Sequence, residues 1–413
     1  MNFKRILRKL TPHFLLNLYH WLWAFLGALV YGFPSRKLIV IGVTGTSGKS
    51  TTIDFICRIL EEAGHKVAST SSIRFKVAEK EWKNKMKMTM PGRFVIQKVL
   101  KQAVDAGCKY AVLEVTSEGI LQSRHKFINF NTAVFLNLTP EHIESHGGFE
   151  NYRAAKLELF KATKGLHIIN ADDENAKHFV NIPAKEKYLF GIKNNLADLR
   201  AQNINLKNGS LNFFVNNEEF NLNLLGDFNV LNALAAISVG ISQNVSMDTC
   251  KNALGKVTGM PGRLEVVAKD PFWVVVDYAF TKEQLEASYK SLNSRPLVCV
   301  LGACGGGRDA WKRPVLGKVA SQYCREIIIT DEDPYDEDPL EIMEQVAGGV
   351  ENKEYHIVMD RKEAIKKALE LAEPTDTVII TGKGAEPLMC LKDGKKIPWD
   401  DRQIVRDLLS ERK

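Results

Sequence analysis

The chain contains no pair of cysteines spaced C-x-x-C; its seven cysteines stand singly at positions 57, 108, 250, 299, 304, 324 and 390. An odd number so placed excludes a disulfide framework or a zinc knuckle and fits reduced thiols in a cytosol. Charge of one sign is not in large excess: 56 Lys and Arg face 49 Asp and Glu, a net of +7. Apart from Lys4, Arg5, Arg8 and Lys9 the basic residues are spread out, which does not argue for a nucleic-acid partner. No small-residue cleavage site precedes the strand expected from residue 38, so a secretory signal is not expected. Hydrophobic residues at 45% and charged residues at 25% are ordinary for a soluble globular chain. A length of 413 residues is room for about two or three domains, each with its own core.

What is present concentrates first at residues 38–50, LIVIGVTGTSGKS. An apolar run over 38–43 ends in a turn punctuated by Gly42, Gly45 and Gly48. Lys49 and the hydroxyls of Ser50, Thr51 and Thr52 follow, then helix-forming sequence over 53–63. Strand, turn and helix N-terminus make an anion cradle. Loop N–H groups and the helix dipole face phosphate, Lys49 reaches the outer phosphates, and Ser50 ligates Mg²⁺. The generic phosphate-loop spacing puts glycine where this chain has Val43, so the loop is a variant. A nucleoside triphosphate is expected at Thr44, Gly45, Thr46, Ser47, Gly48, Lys49, Ser50 and Thr51.

The first 35 residues read as a separate segment. After the basic start, residues 14–33 (FLLNLYHWLWAFLGALVYGF) carry no formal charge, a length that could span a bilayer. Basic residues on the near side would hold that end in the cytoplasm and put the phosphate loop outside, away from ATP. Asn17, His20 and the aromatics Tyr19, Trp21, Trp23 and Tyr31 suit an interface better than a bilayer centre. The expectation is a monotopic helix or hairpin on the cytoplasmic leaflet; the alternative is a helix packed on the protein's own core.

Downstream, strands alternate with helices. Residues 67–72, 110–115, 132–138 and 166–170 read as strands ending in polar residues, and 94–106, 152–160 and 228–239 as helices. That order predicts an α/β fold with a mostly parallel sheet and its site at the carboxyl edge. Residues 199–225 alternate as a small antiparallel excursion. Glu114 ends a buried strand beside the phosphate loop, the place for a Mg²⁺ ligand. On spacing alone, His142 reads as a structural histidine and Lys156 as a solvated helix lysine. A boundary near residue 260 opens a second α/β unit, with strands over 272–277, 297–301, 326–330, 355–358 and 377–381. The expected organisation is residues 1–35, 36–258 and 259–413. The glycine-rich stretch 302–309 reads either as a substrate loop at a strand end or as a tight βα turn.

The ordered set Gly42-x-Thr44-Gly45-Thr46-x-Gly48-Lys49-Ser50, Glu114, Asn137-Leu138-Thr139-Pro140-Glu141-His142, Ala154-Ala155-Lys156 and Gly226-Asp227-Phe228-Asn229-Val230-x-Asn232 resembles the Mur ligases. It continues through Gly262-Arg263-x-Glu265, Val276-Asp277-Tyr278-Ala279, Gly302-x-x-Gly305-Gly306-x-Arg308-Asp309, Lys312-Arg313-Pro314 and Gly382-Lys383-Gly384-x-Glu386. Within that family it is similar to the UDP-N-acetylmuramoyl-tripeptide synthetases, from about residue 38 onward. The resemblance implies a central ATP-binding domain, a Rossmann-like C-terminal domain, and ATP-dependent amide formation through an acyl phosphate. It implies one Mg²⁺ held by Ser50 and Glu114, a second held by His142, and a carbamylated Lys156. Catalytic roles fall to Lys49, Glu114, His142 and Lys156. Asn229, Asn232, Arg263 and Asp277 are assigned to the nucleotide. Thr89, Ser117, Arg124, Arg308, Asp331, Asp333, Tyr335 and Glu386 are assigned to the substrates.

The sequence departs from the family in places. The hydrophobic segment stands where a UDP-sugar-binding domain is usual, so the muramyl substrate is expected to be lipid-linked or held by a partner, with the enzyme at the inner face of the membrane. The D-N-P-R signature reads Glu332-Asp333-Pro334-Tyr335. Without arginine there is no fork for a distal carboxylate, and the acids suit a diamino acid such as lysine. Tyr278-Ala279-Phe280 and Ala385 lack histidines that the family carries, and Thr116-Ser117-Glu118-Gly119 replaces Ser-Ser-His-Gly. The reading is a wall-synthesis ligase, acting as a monomer or beside other wall enzymes. Alternatives are the same chemistry on a polyglutamate- or cyanophycin-like acceptor, and an ATP-binding scaffold of the wall machinery.

Overall fold

The computed structural model describes residues 12–207 and 209–412; the basic residues Lys4, Arg5, Arg8 and Lys9 lie outside them. Two sheets organise the chain. The first has eleven strands in the order β11-β10-β9-β8-β7-β6-β1-β5-β2-β3-β4. Its parallel centre comprises β2 (Val67–Thr70), β5 (Tyr110–Glu114), β1 (Ile39–Thr44), β6 (Phe130–Phe135), β7 (Leu166–Asn170) and β8 (Glu186–Gly191). These strands are nearly continuous apolar runs because helices cover both faces. Val40, Ile41, Val43, Val112, Ala133, Val134, Ile168 and Ile169 are all fully buried. Strands β1, β5 and β6 all end at one edge, so Thr44, Glu114 and the stretch after Phe135 converge there.

Helix α1 (His13–Val30) precedes the sheet, and α2 (Lys49–Glu62) follows β1 directly. The helix begins at Lys49 rather than at residue 53. Hydroxyl residues fill its first turn, and Gly48 caps it with a left-handed φ of 80°. A hairpin, β3 (Arg74–Val77) with β4 (Lys80–Lys83), extends the sheet antiparallel beyond β2. Its two-residue turn puts Ala78 at φ 50°, where asparagine or glycine is the usual signal, so nothing in the sequence marked it. At the other edge β9 (Leu199–Lys207) pairs parallel with β8, and β10 (Ser210–Val215) and β11 (Glu218–Leu222) complete an antiparallel meander. Helix α3 (Arg93–Asp105) lies beside β2. Helices α4 (Ser117–Leu121), α5 (Ile143–His146), α6 (Phe149–Ala162) and α7 (Ala176–Val180) connect the parallel strands. Helix α8 (Phe228–Ser242) is apolar almost all round and packs between α2 and strands β7 to β9, with α9 (Met247–Gly255) beyond it.

The second sheet runs β12-β13-β17-β14-β15-β16. Its strands are β12 (Glu265–Ala268), β13 (Trp273–Val276), β14 (Leu297–Leu301), β15 (Cys324–Thr330), β16 (His356–Val358) and β17 (Thr377–Ile380). All pairings are parallel except the antiparallel edge strand β12. Helices α10 (Lys282–Leu292), α11 (Lys312–Tyr323), α12 (Pro339–Ala347), α13 (Arg361–Leu371) and α14 (Asp401–Ser410) cover it, and a small hairpin joins β18 (Leu388–Cys390) to β19 (Lys396–Pro398).

No helix of the described residues is long and apolar enough to cross a membrane. Helix α1 docks on α3. Ala24 and Ala28 are buried, and Trp21 and Trp23 meet Phe127 and Phe94 edge-on. Leu15, Leu18, Leu22, Leu26 and Leu29, at helical spacing on the opposite side, are 41% to 53% exposed.

Candidate active site

The turn after β1 is clasped from the neighbouring strand end. Asn137 Oδ1 accepts the N–H groups of Thr46 at 3.1 Å and Ser47 at 2.9 Å. A side chain at Gly48 would bring its Cβ within 2.3 Å of Asn232 Oδ1, so only glycine lets α8 close on the loop. Lys49 Nζ folds back on the carbonyls of Gly45 and Thr46, both at 3.0 Å, and lies 3.8 Å from Glu114 Oε1. Burial lowers its pKa; Glu114 opposes this and Arg263 reinforces it.

Glu114, buried at the end of β5, gathers the hydroxyl-bearing residues. Its Oε2 accepts Ser50 Oγ at 2.8 Å and Ser72 N–H at 2.9 Å. From α6, Lys156 reaches the same loop and donates to Gly45 O at 2.8 Å, with its ammonium 4.6 Å over the Tyr152 ring. Burial, then Lys49, holds its pKa well below that of an ordinary lysine. His142 precedes α5 in a left-handed conformation, φ 59°. Burial, with Arg308, Lys156 and Lys312 nearby, pushes its imidazole down to about 2, leaving a neutral ring with a lone pair to give.

The second sheet closes the cavity from the other side. Lys312 Nζ pairs with Glu141 Oε1 at 3.0 Å, with both side chains buried. Asp309 accepts the N–H groups of Ile143 at 3.1 Å and Glu144 at 3.0 Å, the two residues after His142. Lys87, from the loop after β4, reaches across to Asp333 and Glu386.

Residues 43–240 match the Mur ligase middle domain, and residues 262–384 match the Mur ligase glutamate ligase domain. Two curated relatives are both named UDP-N-acetylmuramoyl-L-alanyl-D-glutamate--2,6-diaminopimelate ligase. The one from Clostridium tetani is 36% identical over 92% of this chain and 79% of its own length. The one from Syntrophomonas wolfei is 38% identical over 94% of this chain and 81% of its own length. A solved structure of a ligase of the same name superposes with a TM-score of 0.61 at 29% identity, covering 91% of this chain and 79% of that one. The chain belongs to the Mur ligases. It is an ATP-dependent ligase of the acid–amino-acid type.

In this Mur ligase one cavity gathers most of the residues singled out from sequence. Gly45 through Thr51, Glu114, His142, Lys156, Asn232, Arg263, Asp277, Thr89, Ser117, Arg308, Asp333, Tyr335 and Glu386 all line it. Others are placed elsewhere. Thr44 is buried beneath the loop, and Asn229 is turned to Leu225 O and Asn232. Arg124 is off the wall, where it donates to Met90 O and to Gln122 Oε1 at 2.7 Å. It braces the Thr89 loop from behind. Asp331 also stands off the wall, its carboxyl raised to about 6 by burial. Residues given no role from sequence now have one: Asn137 as the clasp, Glu141 and Lys312 as the buried pair, and Lys87 as the bridge. The first three sit inside the family motifs, but Lys87 had no signal.

The donor set fits Mg²⁺. Ser50 and Glu114 offer hard oxygens at one point, and His142 is neutral. Among the described residues no group of three or more His, Cys, Asp or Glu could hold a metal alone.

Proposed function

We propose that this chain adds an amino acid with a second amine, lysine in particular, to a muramyl-peptide precursor in peptidoglycan synthesis. The carboxylate of the precursor attacks the γ-phosphorus of ATP, giving an acyl phosphate and ADP. The amine then attacks the acyl carbon, inorganic phosphate leaves, and the amine loses its proton. Lys49 and the loop N–H groups hold the phosphates as charge moves onto the leaving oxygen. Ser50 and Glu114 would hold one Mg²⁺, and His142 with a carbamylated Lys156 a second; bound there, Mg²⁺ neutralises phosphate charge. The protein's part is positioning of the reacting groups.

The observation that carries this reading is the meeting of Lys49, Ser50, Glu114, His142 and Lys156 around one loop. Lysine is favoured over the 2,6-diaminopimelate of the relatives' names because Tyr335 stands where an arginine would hold the distal carboxylate. The ammonium of Lys87, 2.7 Å from Asp333 Oδ2, supports a cation subsite there. A lipid-linked precursor, with the enzyme resting on the inner membrane face, is supported by α1: its partners Arg93 and Phe94 directly follow the Thr89 loop that lines the cavity.

The test follows phosphate release from ATP with UDP-linked and lipid-linked muramyl dipeptides, each with lysine, diaminopimelate or no amine. Release should need both acceptor and amine and be fastest with lysine. Release with diaminopimelate alone would overturn the lysine assignment. No amine-dependent release with any pair would leave the scaffold reading.

A further inference from the structure

Lys87 belongs to the first sheet's side of the cavity, yet its ammonium is held by carboxylates of the second. Nζ lies 2.7 Å from Asp333 Oδ2 and also bonds Glu386 Oε2. Burial alone would lower its pKa, but Glu386 and Asp333 outweigh that and raise it. The same acids hold Lys383, whose Nζ donates to both Asp333 oxygens at 2.8 Å and to Glu386 Oε2 at 2.9 Å. Two carboxylates and two ammonium groups therefore balance inside the cavity, and a third cation would be uncompensated.

The two lysines differ in how they are held. Lys383 is a fixture: it is fully buried and also bonds Leu388 O at 2.8 Å. Lys87 comes from a loop, bonds the two carboxylates alone among the described residues, and its side chain is 10% exposed against 1% for Lys383. Swinging that side chain out would vacate an ammonium-shaped place on Asp333 and Glu386.

We propose that Lys87 is a tethered ammonium filling the subsite for the amino acid's second amine, so that a diamino acid binds by displacing it. Lys87 thereby sets how strongly the site prefers a charged chain end to a neutral one. The inference rests on the reading that an amino acid is the second substrate. With Lys87→Met, Asp333 and Glu386 face Lys383 alone and carry a net negative charge awaiting a cation.

The test is calorimetric titration of the full chain, with a non-hydrolysable ATP analogue bound, against L-lysine and its uncharged analogue L-norleucine. A charge-assisted hydrogen bond corresponds to roughly tenfold in affinity. The lysine-over-norleucine preference should therefore grow about tenfold in Lys87→Met and stay at the wild-type value in Lys87→Arg. Affinity for the ATP analogue reports that each variant is folded, and Lys87→Gln repeats the measurement should the Met variant lose it. An unchanged or smaller preference in the neutral variants overturns the proposal, and so does failure of every variant to bind either amino acid. Because binding needs no turnover, a chain that shows the shift but forms no amide refutes the ligase reading and leaves this inference standing.

Discussion

Lys156 Nζ lies 2.8 Å from the carbonyl oxygen of Gly45, so a lysine on α6 is anchored to the phosphate loop itself. An ammonium there cannot ligate a cation, whereas the carbamate formed from its neutral amine and CO₂ can. Burial holds the amine's pKa well down, which keeps the nucleophilic form available at lower pH than an ordinary lysine would. We expect Lys156→Ala to lose activity by about 10²-fold or more, as when a group that stabilises transition-state charge is removed. Short carboxylic acids should restore part of it, and ¹³CO₂ should give a carbamate NMR signal that the variant lacks. As pH falls through the lowered pKa the amine protonates and the carbamate is lost, so activity should fade on the acid side. An undiminished Lys156→Ala enzyme would refute the assignment.

The pair Glu141 and Lys312 is a buried electrostatic contact between the two sheets' units, with both side chains at 5% exposure or less. Removing one partner leaves a buried charge alone, at a cost of about 3–5 kcal/mol. Burial already raises the Glu141 carboxyl, against the pull of Lys312. Lys312→Met should therefore lower the melting temperature, or open the two units as seen in small-angle scattering. The double variant with Glu141→Gln should recover much of the loss. Two single losses that simply add would show that the pair is not coupled.

The legible part of the site was its local part. Gly42 through Ser50 lie consecutively on strand, turn and helix, and Glu114 ends the adjacent strand, so pattern alone set them side by side. His142 and Lys156 could be joined to them only through family resemblance, because spacing says nothing of how α5 and α6 return to the loop. Lys87 was invisible for a sharper reason: its partner Asp333 is 246 residues away, and its charge looks like any loop lysine. The hairpin at Ala78 escaped because its left-handed turn carries neither glycine nor asparagine. Arg124 stands off the cavity wall, and sequence gives no sign of it, because a buried arginine bonded to Met90 O and Gln122 Oε1 reads like one that serves a substrate.

Helix α1 is apolar on both faces, and only one is covered. Ala24 and Ala28 let it sit close on α3, whose Phe94 it shields, so deleting it would uncover the protein's own core. Substitution on the far side avoids that. Leu18, Leu22 and Leu26 are 41% to 51% exposed, and Lys4, Arg5, Arg8 and Lys9 precede them in sequence. Each leucine moved from water into lipid contributes up to about 1.5–3 kcal/mol, and each nearby cation about 1 kcal/mol on an anionic surface. The full chain should therefore sediment with phosphatidylglycerol vesicles, less so with neutral ones, and salt should weaken the binding. Replacing Leu18, Leu22 and Leu26 together by Glu should release it while affinity for an ATP analogue is kept. Binding that survives the triple substitution, or a wild-type chain that ignores both kinds of vesicle, would show that this face meets something other than a membrane.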